Sequence, residues 1–221
     1  MTSCRRSSPR PGRPRASFWG SGLLIPLLAL GPVGAAAPPR HAAVEVVVTA
    51  TAALLMDART GQVLYDRNAH LIWSPASTTK IMTALVALEG TPLDALITIS
   101  PDAAHFREGA IVGLPEGARI PLRDLLYALL LASGNDAAVA IAEGVAGTVP
   151  AFVDRMNAKA VQLGASQTHF TSPHGLYDPE HYSTAYDLAL ITRVALQNPA
   201  FQQIVHTRVW ALAVPGRSPR R

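Results

Sequence analysis

The sequence predicts an α+β fold, a helical block plus an incomplete antiparallel sheet. Three observations point there. Residues 52–57 and 62–65 are short apolar runs around a turn, Ala58-Arg59-Thr60-Gly61. Residues 77–88 form a helical pattern with almost no polar face, which belongs in the middle of a domain. After residue 121 the pattern is helix upon helix, with too few strands to complete a sheet. At 221 residues and 49% hydrophobic, the chain is long enough for one sizeable core and too apolar for a disordered chain.

In order, 38–43 is a Pro-containing entry and the first two strands follow. Gly61 supplies positive φ in their turn. Residues 70–75 are loop. The apolar helix 77–88 is stopped by Gly90, Thr91 and Pro92. Residues 93–120, broken by Pro101, Gly109, Gly113, Pro115 and Gly117, predict short strands and turns. Residues 121–132 are helical, with Leu122, Leu125, Leu126, Leu129 and Leu130 on one stripe. Ser133-Gly134-Asn135 interrupts, and 136–145 resumes. Pro150 opens a helix to Leu163 that Gly164 closes. A polar loop spans 165–182. Thr184 and Asp187 cap a helix to about Gln197, ended by Asn198-Pro199. The run 204–212 predicts a strand before a Pro/Gly/Arg ending.

The formal net charge is +4, but its distribution argues against a nucleic-acid binder. Five arginines (5, 6, 10, 13 and 15) and no acidic residue lie in residues 1–37; from residue 38 on, 14 basic face 15 acidic side chains. The basic stretch, an apolar run through Leu23, Leu24, Ile25 and Leu27–Leu30, and small residues at Gly34–Ala37 have the order of a secretory signal with an A-x-A cleavage site. Residues 1–37 are therefore expected to be a signal peptide, with export across the cytoplasmic membrane. An uncleaved anchor is the alternative, and Arg5-Arg6 fits twin-arginine export poorly. The only cysteine, Cys4, sits in this leader, so the chain beyond it has no thiol chemistry.

Ser77-Thr78-Thr79-Lys80 is an S-x-x-K at the start of the apolar helix. The i, i+3 spacing puts Ser77 and Lys80 on one face. A serine hydroxyl needs a base, and a lysine of lowered pKa can serve. Helix N-terminal N–H groups favour a developing oxyanion. The bland reading is Ser77 as an N-cap and Lys80 as a solvated side chain. Against it, a wholly apolar helix follows Lys80, and Lys159 is the only other lysine. Ser133-Gly134-Asn135 is the second element, set between two apolar helices. Ser133 can relay a proton, and Asn135 can orient Lys80 or hold a substrate carbonyl. Alone, it reads better as a C-cap at Gly134 followed by a new N-cap from Asn135 or Asp136.

Together the two elements resemble the S-x-x-K and S-x-N signature of penicillin-binding proteins and serine β-lactamases. Four stretches sharpen the resemblance: LLMDARTGQVLY (54–65), SPASTTKIM (74–82), LLASGND (130–136) and HFTSPHGLYDPEHYSTAYDLAL (169–190). They are similar to exported serine-type D-alanyl-D-alanine carboxypeptidases, the low-molecular-weight penicillin-binding proteins, over essentially the whole of residues 38–221. The resemblance implies a β-lactamase/transpeptidase-like catalytic domain over 38–221. It implies Ser77 as nucleophile, Lys80 as general base, Ser133 as a further catalytic group and Asn135 as a substrate-binding residue. The substrate would be the D-Ala-D-Ala end of a peptidoglycan stem peptide, β-lactams would acylate the same serine, and no metal or organic cofactor is implied.

The family's third element, a K-T-G on a later strand, has no counterpart after Tyr182. Arg59-Thr60-Gly61 mimics it but precedes the nucleophile and reads as a turn. The expectation is a catalytic domain that is C-terminally incomplete, carrying no membrane anchor, with contact to a membrane surface left open. Loss of central strands is expected to expose the apolar face of the Ser77 helix and leave the first two strands without neighbours. Two other functions compete. A serine β-lactamase wants a deacylating Glu in an E-x-x-x-N-type loop, which 169–182 lacks. A catalytically dead remnant or wall-binding fragment would follow from the missing K-T-G. Among weaker features, His169, His174 and His181 fit no zinc spacing. Asp178, Glu180 and Asp187 are acid–base or cap carboxylates, and Trp73 and Tyr127 line a cleft or pack.

Overall fold

A computed structural model describes residues 47–212. The expected leader with Cys4, the entry segment 38–43 and the ending 215–221 lie outside the described residues. Strands β1 (Ala53–Met56) and β2 (Val63–Arg67) pair antiparallel, with Ala53 opposite Arg67 and a bulge between Leu55 and Met56. Their connection is the turn expected at 58–61. Asp57 accepts from Thr60 N at 2.6 Å and Thr60 Oγ1 at 2.7 Å, while Gly61 takes φ +78°. Arg193 clamps the turn by donating from Nε to the Ala58 carbonyl at 2.9 Å.

A 3₁₀ turn at Ala76–Thr78 runs into α1 (Thr79–Gly90). Then come β3 (Leu96–Thr98), α2 (Pro101–His105), β4 (Arg119–Pro121), α3 (Leu122–Leu131) and α4 (Asn135–Ala146). The last elements are α5 (Val149–Gln162), α6 (Ala185–Ala195) and α7 (Pro199–His206). β3 and β4 form a second antiparallel pair, Ile97 opposite Ile120. Helix α1 is the hub. It packs against α3, α4, α5, α6 and α7, and buries Met82, Thr83, Ala84, Leu85, Val86 and Ala87. Its missing polar face thus has a physical reason: helices surround it. The expected exposure of its apolar face is found only in part: these five helices cover most of it, and half-buried Ile81 is left lining an open hollow with Leu129 and Leu130. Among the described residues β1 and β2 make a two-stranded sheet, and Leu55 and Leu64 are exposed.

Side-chain caps set the helix starts. Ser100, Thr148 and Thr184 each accept a backbone N–H three residues on, and Asn198 accepts from Ala200 N and Phe201 N. Two expectations are corrected by the same chemistry. Residues 93–120 contain not only strands and turns but also α2, begun by the cap Ser100 and by Pro101 in the first turn. The strand expected at 204–212 is absent over 204–206, where α7 continues to His206. Asn198-Pro199 ends one helix and starts the next, and α7 buries Phe201 and Ile204, three residues apart on one face. Beyond it, Trp210 stacks on Tyr127 at 3.8 Å and donates from Nε1 to Asp124 at 3.2 Å. Among the described residues no single helix is long and apolar enough to cross a membrane.

Candidate active site

Ser77 sits exposed in the 3₁₀ turn, preceded by Ala76 at φ +47°. One turn on, Lys80 is buried, at 2% exposure. Its Nζ lies 3.3 Å from Ser77 Oγ, and donates to the His174 carbonyl at 2.8 Å. Burial holds its pKa down, to about 8 against an ordinary 10.5. A solvated Lys80 is therefore not what the fold builds: the ammonium loses hydration, and the neutral amine becomes accessible near neutral pH.

Ser133 arrives from the α3–α4 junction. The residue in the left-handed region there is Ser133 itself, at φ +57°, while the expected cap Gly134 is at φ −60°. A serine in this region costs roughly 1 kcal/mol that glycine would avoid. The conformation brings its Oγ to donate to Ser77 Oγ at 3.1 Å. Ser77, Lys80 and Ser133 are thus brought together across 56 residues of sequence. They share a hollow of about 460 Å³ with Leu129, Phe201 and Val205.

Asn135 is placed differently. It is buried, its Nδ2 donates to the Glu108 carbonyl at 2.8 Å, and its backbone N–H to the Ala110 carbonyl at 2.7 Å. These bonds tie the start of α4 to the 108–110 loop and not to Lys80. Its neighbour Asp136, which sequence reasoning treated only as a cap, is the larger organiser. It is 1% exposed, and its carboxylate accepts from Gly113 N at 2.7 Å, Leu114 N at 3.2 Å, Val112 N at 3.1 Å and Ala137 N at 2.9 Å. The loop beside Ser133 is thereby fixed to α4. The signal was a carboxylate beside a Gly-Asn helix start, which N-cap chemistry alone absorbed.

The loop 171–181 was also underread. It lies along α1, with the Pro173 carbonyl accepting from Thr83 Oγ1 at 2.6 Å and the His174 carbonyl accepting from Lys80. Gly175, at φ +82°, lies directly against the Ala76 carbonyl. The three histidines have separate partners. His169 Nδ1 bonds the Glu180 carbonyl, His174 Nδ1 accepts from Leu176 N, and His181 bridges Thr79 and Thr171. Burial first, then the charge of Lys80, holds His174 down to about 4, so it is neutral beside the lysine at neutral pH. Among the described residues no group of three or more metal-ligating side chains exists. Asp187 accepts from Gln167 N and Thr168 Oγ1, and Asp178 from Glu180 N, which are turn and cap roles. Trp73 is exposed and Tyr127 buried against Trp210, and neither lines the hollow at Ser77.

The sequence profile of the D-alanyl-D-alanine carboxypeptidase family matches residues 38–214. The D-alanyl-D-alanine carboxypeptidase DacF of Bacillus subtilis is 35% identical over 188 residues, covering 83% of this chain and 48% of the relative. DacB2 of Mycobacterium tuberculosis is 44% identical over 154 residues, covering 68% of this chain and 52% of the relative. Among solved structures, the Streptomyces K15 DD-transpeptidase superposes with a TM-score of 0.73 at 34% identity, over 77% of this chain and 70% of that one. The carboxypeptidase DacD of Francisella tularensis gives 0.70 at 38% identity, over 73% and 40%. The chain spans about half the length of the curated relatives it matches.

Proposed function

The chain belongs to the D-alanyl-D-alanine carboxypeptidase family, with a transpeptidase-like α+β fold, and on that premise we propose that it is a serine peptidase removing the terminal D-Ala from peptidoglycan stem peptides. The observation that carries this is the triangle of Ser77 Oγ, Lys80 Nζ and Ser133 Oγ, with Nζ buried and both hydroxyls at the mouth.

The neutral Lys80 amine takes the Ser77 hydroxyl proton as Oγ bonds to the penultimate D-Ala carbonyl carbon. The oxyanion forms at the positive end of α1. Collapse breaks the peptide C–N bond. The proton on Lys80 passes through the Ser133 hydroxyl to the leaving nitrogen, and D-Ala departs as an amine. Water then attacks the Ser77 ester, giving one proton to Lys80, which returns it to Ser77. A β-lactam carbonyl enters the same first step, but its leaving nitrogen stays tethered to the acyl group and does not diffuse away. Asn135 holds the cleft edge beside Ser133 through its bond to the Glu108 carbonyl, which leaves its amide oxygen as the group to meet substrate. Residues 1–37 act as an export signal and 38–221 as the catalytic domain, so the protein works outside the cytoplasmic membrane on the wall. The order of charge, apolar run and small residues supports this, as does a family match that starts at residue 38.

The test is covalent labelling of the purified protein by a fluorescent penicillin, beside Ser77→Ala, with circular dichroism on both. A labelled band absent from the variant is expected. Folded protein that takes no label overturns the proposal, as does equal labelling of Ser77→Ala.

A further inference from the structure

We propose that His181, held as the neutral tautomer with its proton on Nε2, is a positioning residue for the Lys80 base. This rests on the reading of Ser77 and Lys80 as nucleophile and base. His181 is 1% exposed, and both ring nitrogens are engaged. The Thr171 backbone N–H donates to Nδ1 at 3.0 Å. An amide N–H only donates, so Nδ1 carries the lone pair and the ring proton sits on Nε2. Nε2 faces Thr79 Oγ1 at 2.8 Å and donates to it. The ring therefore joins the loop at Thr171 to the first residue of α1, next to Lys80. The Phe170 ring meets it edge-on, with centroids 5.6 Å apart.

Between Thr171 and His181 the chain runs as a strap along α1. It delivers the Pro173 carbonyl to Thr83 and the His174 carbonyl to Lys80 Nζ. Those contacts both cover Lys80 and aim it. Without the bridge, the strap has lost the tie that sets its height above the helix, and water reaches the amine. Protonation of His181 would set an Nδ1–H against the Thr171 N–H, donor against donor. The titratable groups around the ring are Asp178 and His169 from its own loop and His174 within the strap. Burial dominates and keeps the ring neutral.

The test compares wild type with His181→Gln, and with Thr79→Val, which removes only the partner hydroxyl. Three quantities are read: the ring nitrogen resonances of His181, the titration of Lys80 by pH-dependent competitive acetylation with mass spectrometry, and the rate of acylation by a fluorescent penicillin. In wild type, Nδ1 should be unprotonated and Lys80 should titrate near 8. In both variants the Lys80 titration should move up by about one pH unit as water enters, and acylation should fall roughly 10- to 100-fold. A merely structural role would lower the melting temperature but leave Lys80 titration unmoved in the folded protein. That result overturns the proposal, and so does a proton found on Nδ1. If His181→Gln fails to fold, Thr79→Val decides. If wild type takes no penicillin, the proposed function fails, and the Lys80 titration decides this inference by itself.

Discussion

Gly175→Ala tests whether the strap over α1 sets the geometry of the nucleophile. Gly175 has φ +82°, and a Cβ built there would lie 2.0 Å from the Ala76 carbonyl oxygen, 2.6 Å from its carbon and 2.7 Å from Thr79 Oγ1. Ordinary contact begins near 3.4 Å, so the two backbones must part by roughly 1.4 Å. One of two things moves. Either the strap lifts and takes the His174 carbonyl from Lys80 Nζ, or the Ala76 peptide yields and takes Ser77 with it. A misplacement of about 1 Å at reacting groups costs on the order of 100-fold in rate. Stability should fall by about 2–4 kcal/mol, from the left-handed strain of an alanine plus overpacking. The assays are the time course of fluorescent-penicillin acylation and urea unfolding. Gly164→Ala is the control: φ is +77° there, yet no atom lies within 4 Å of the new Cβ. It should lose about 1 kcal/mol of stability and no acylation rate. Wild-type acylation by folded Gly175→Ala would refute the reasoning.

Acylation should rise with pH to a plateau above about 8, as Lys80 loses its proton, and a pH–rate profile flat from 6 to 9 would contradict this. The same lowered pKa has a stability consequence. Between pH 8 and 10.5 the unfolded chain holds the proton that the folded chain has lost, so the Lys80 contribution to stability rises with pH by roughly 3 kcal/mol. Urea midpoints of wild type and Lys80→Met across that range measure it, since the rise should vanish in the variant. Ser133→Gly and Ser133→Ala should both lose acylation, with Ser133→Gly more stable by about 1 kcal/mol because only alanine keeps the left-handed strain. Asp136→Ala should cost about 3 kcal/mol in urea unfolding, since one carboxylate organises the 112–114 segment.

The legible parts of this fold are local in sequence. Ser77 and Lys80 meet because three residues nearly complete one helical turn, and any helix over 77–80 would bring them together. The turn at 58–61 and the cap at Thr184 are likewise set by side chains within three or four residues. What escaped reading is of two kinds. Ile204, Val205, Val209 and Trp210 carry strand-forming side chains, and that propensity concealed the stronger signal of Asn198-Pro199, a cap followed by a proline suited to the first helical turn. The other kind is non-local. The strap reaches Lys80 across 94 residues and His181 reaches Thr79 across 102, and no spacing rule spans such distances. The histidines were visible only as a spacing that failed to match a metal site.

The burial that makes Lys80 a base also explains where strain collects. A lysine that must stay dry needs cover on every side, and α1 packs against five helices, while Ser77 sits exposed in the 3₁₀ turn just before it. That turn must stay open for Ser77 to receive a carbonyl, so helical packing cannot close it. Single groups approach it instead: the His174 carbonyl on Nζ, Gly175 against Ala76, and the Ser133 side-chain hydroxyl on Ser77. Such close approach demands unusual backbone conformations. Of the three non-glycine residues with positive φ among the described residues, Ala76 and Ser133 flank the nucleophile. Neither has a side chain suited to that region, so the packing around them must hold what their own propensities oppose. Relaxing either one gains local stability only by separating the two hydroxyls from the amine, which makes the strain at Ala76 and Ser133 a consequence of needing a dry base beside an exposed nucleophile.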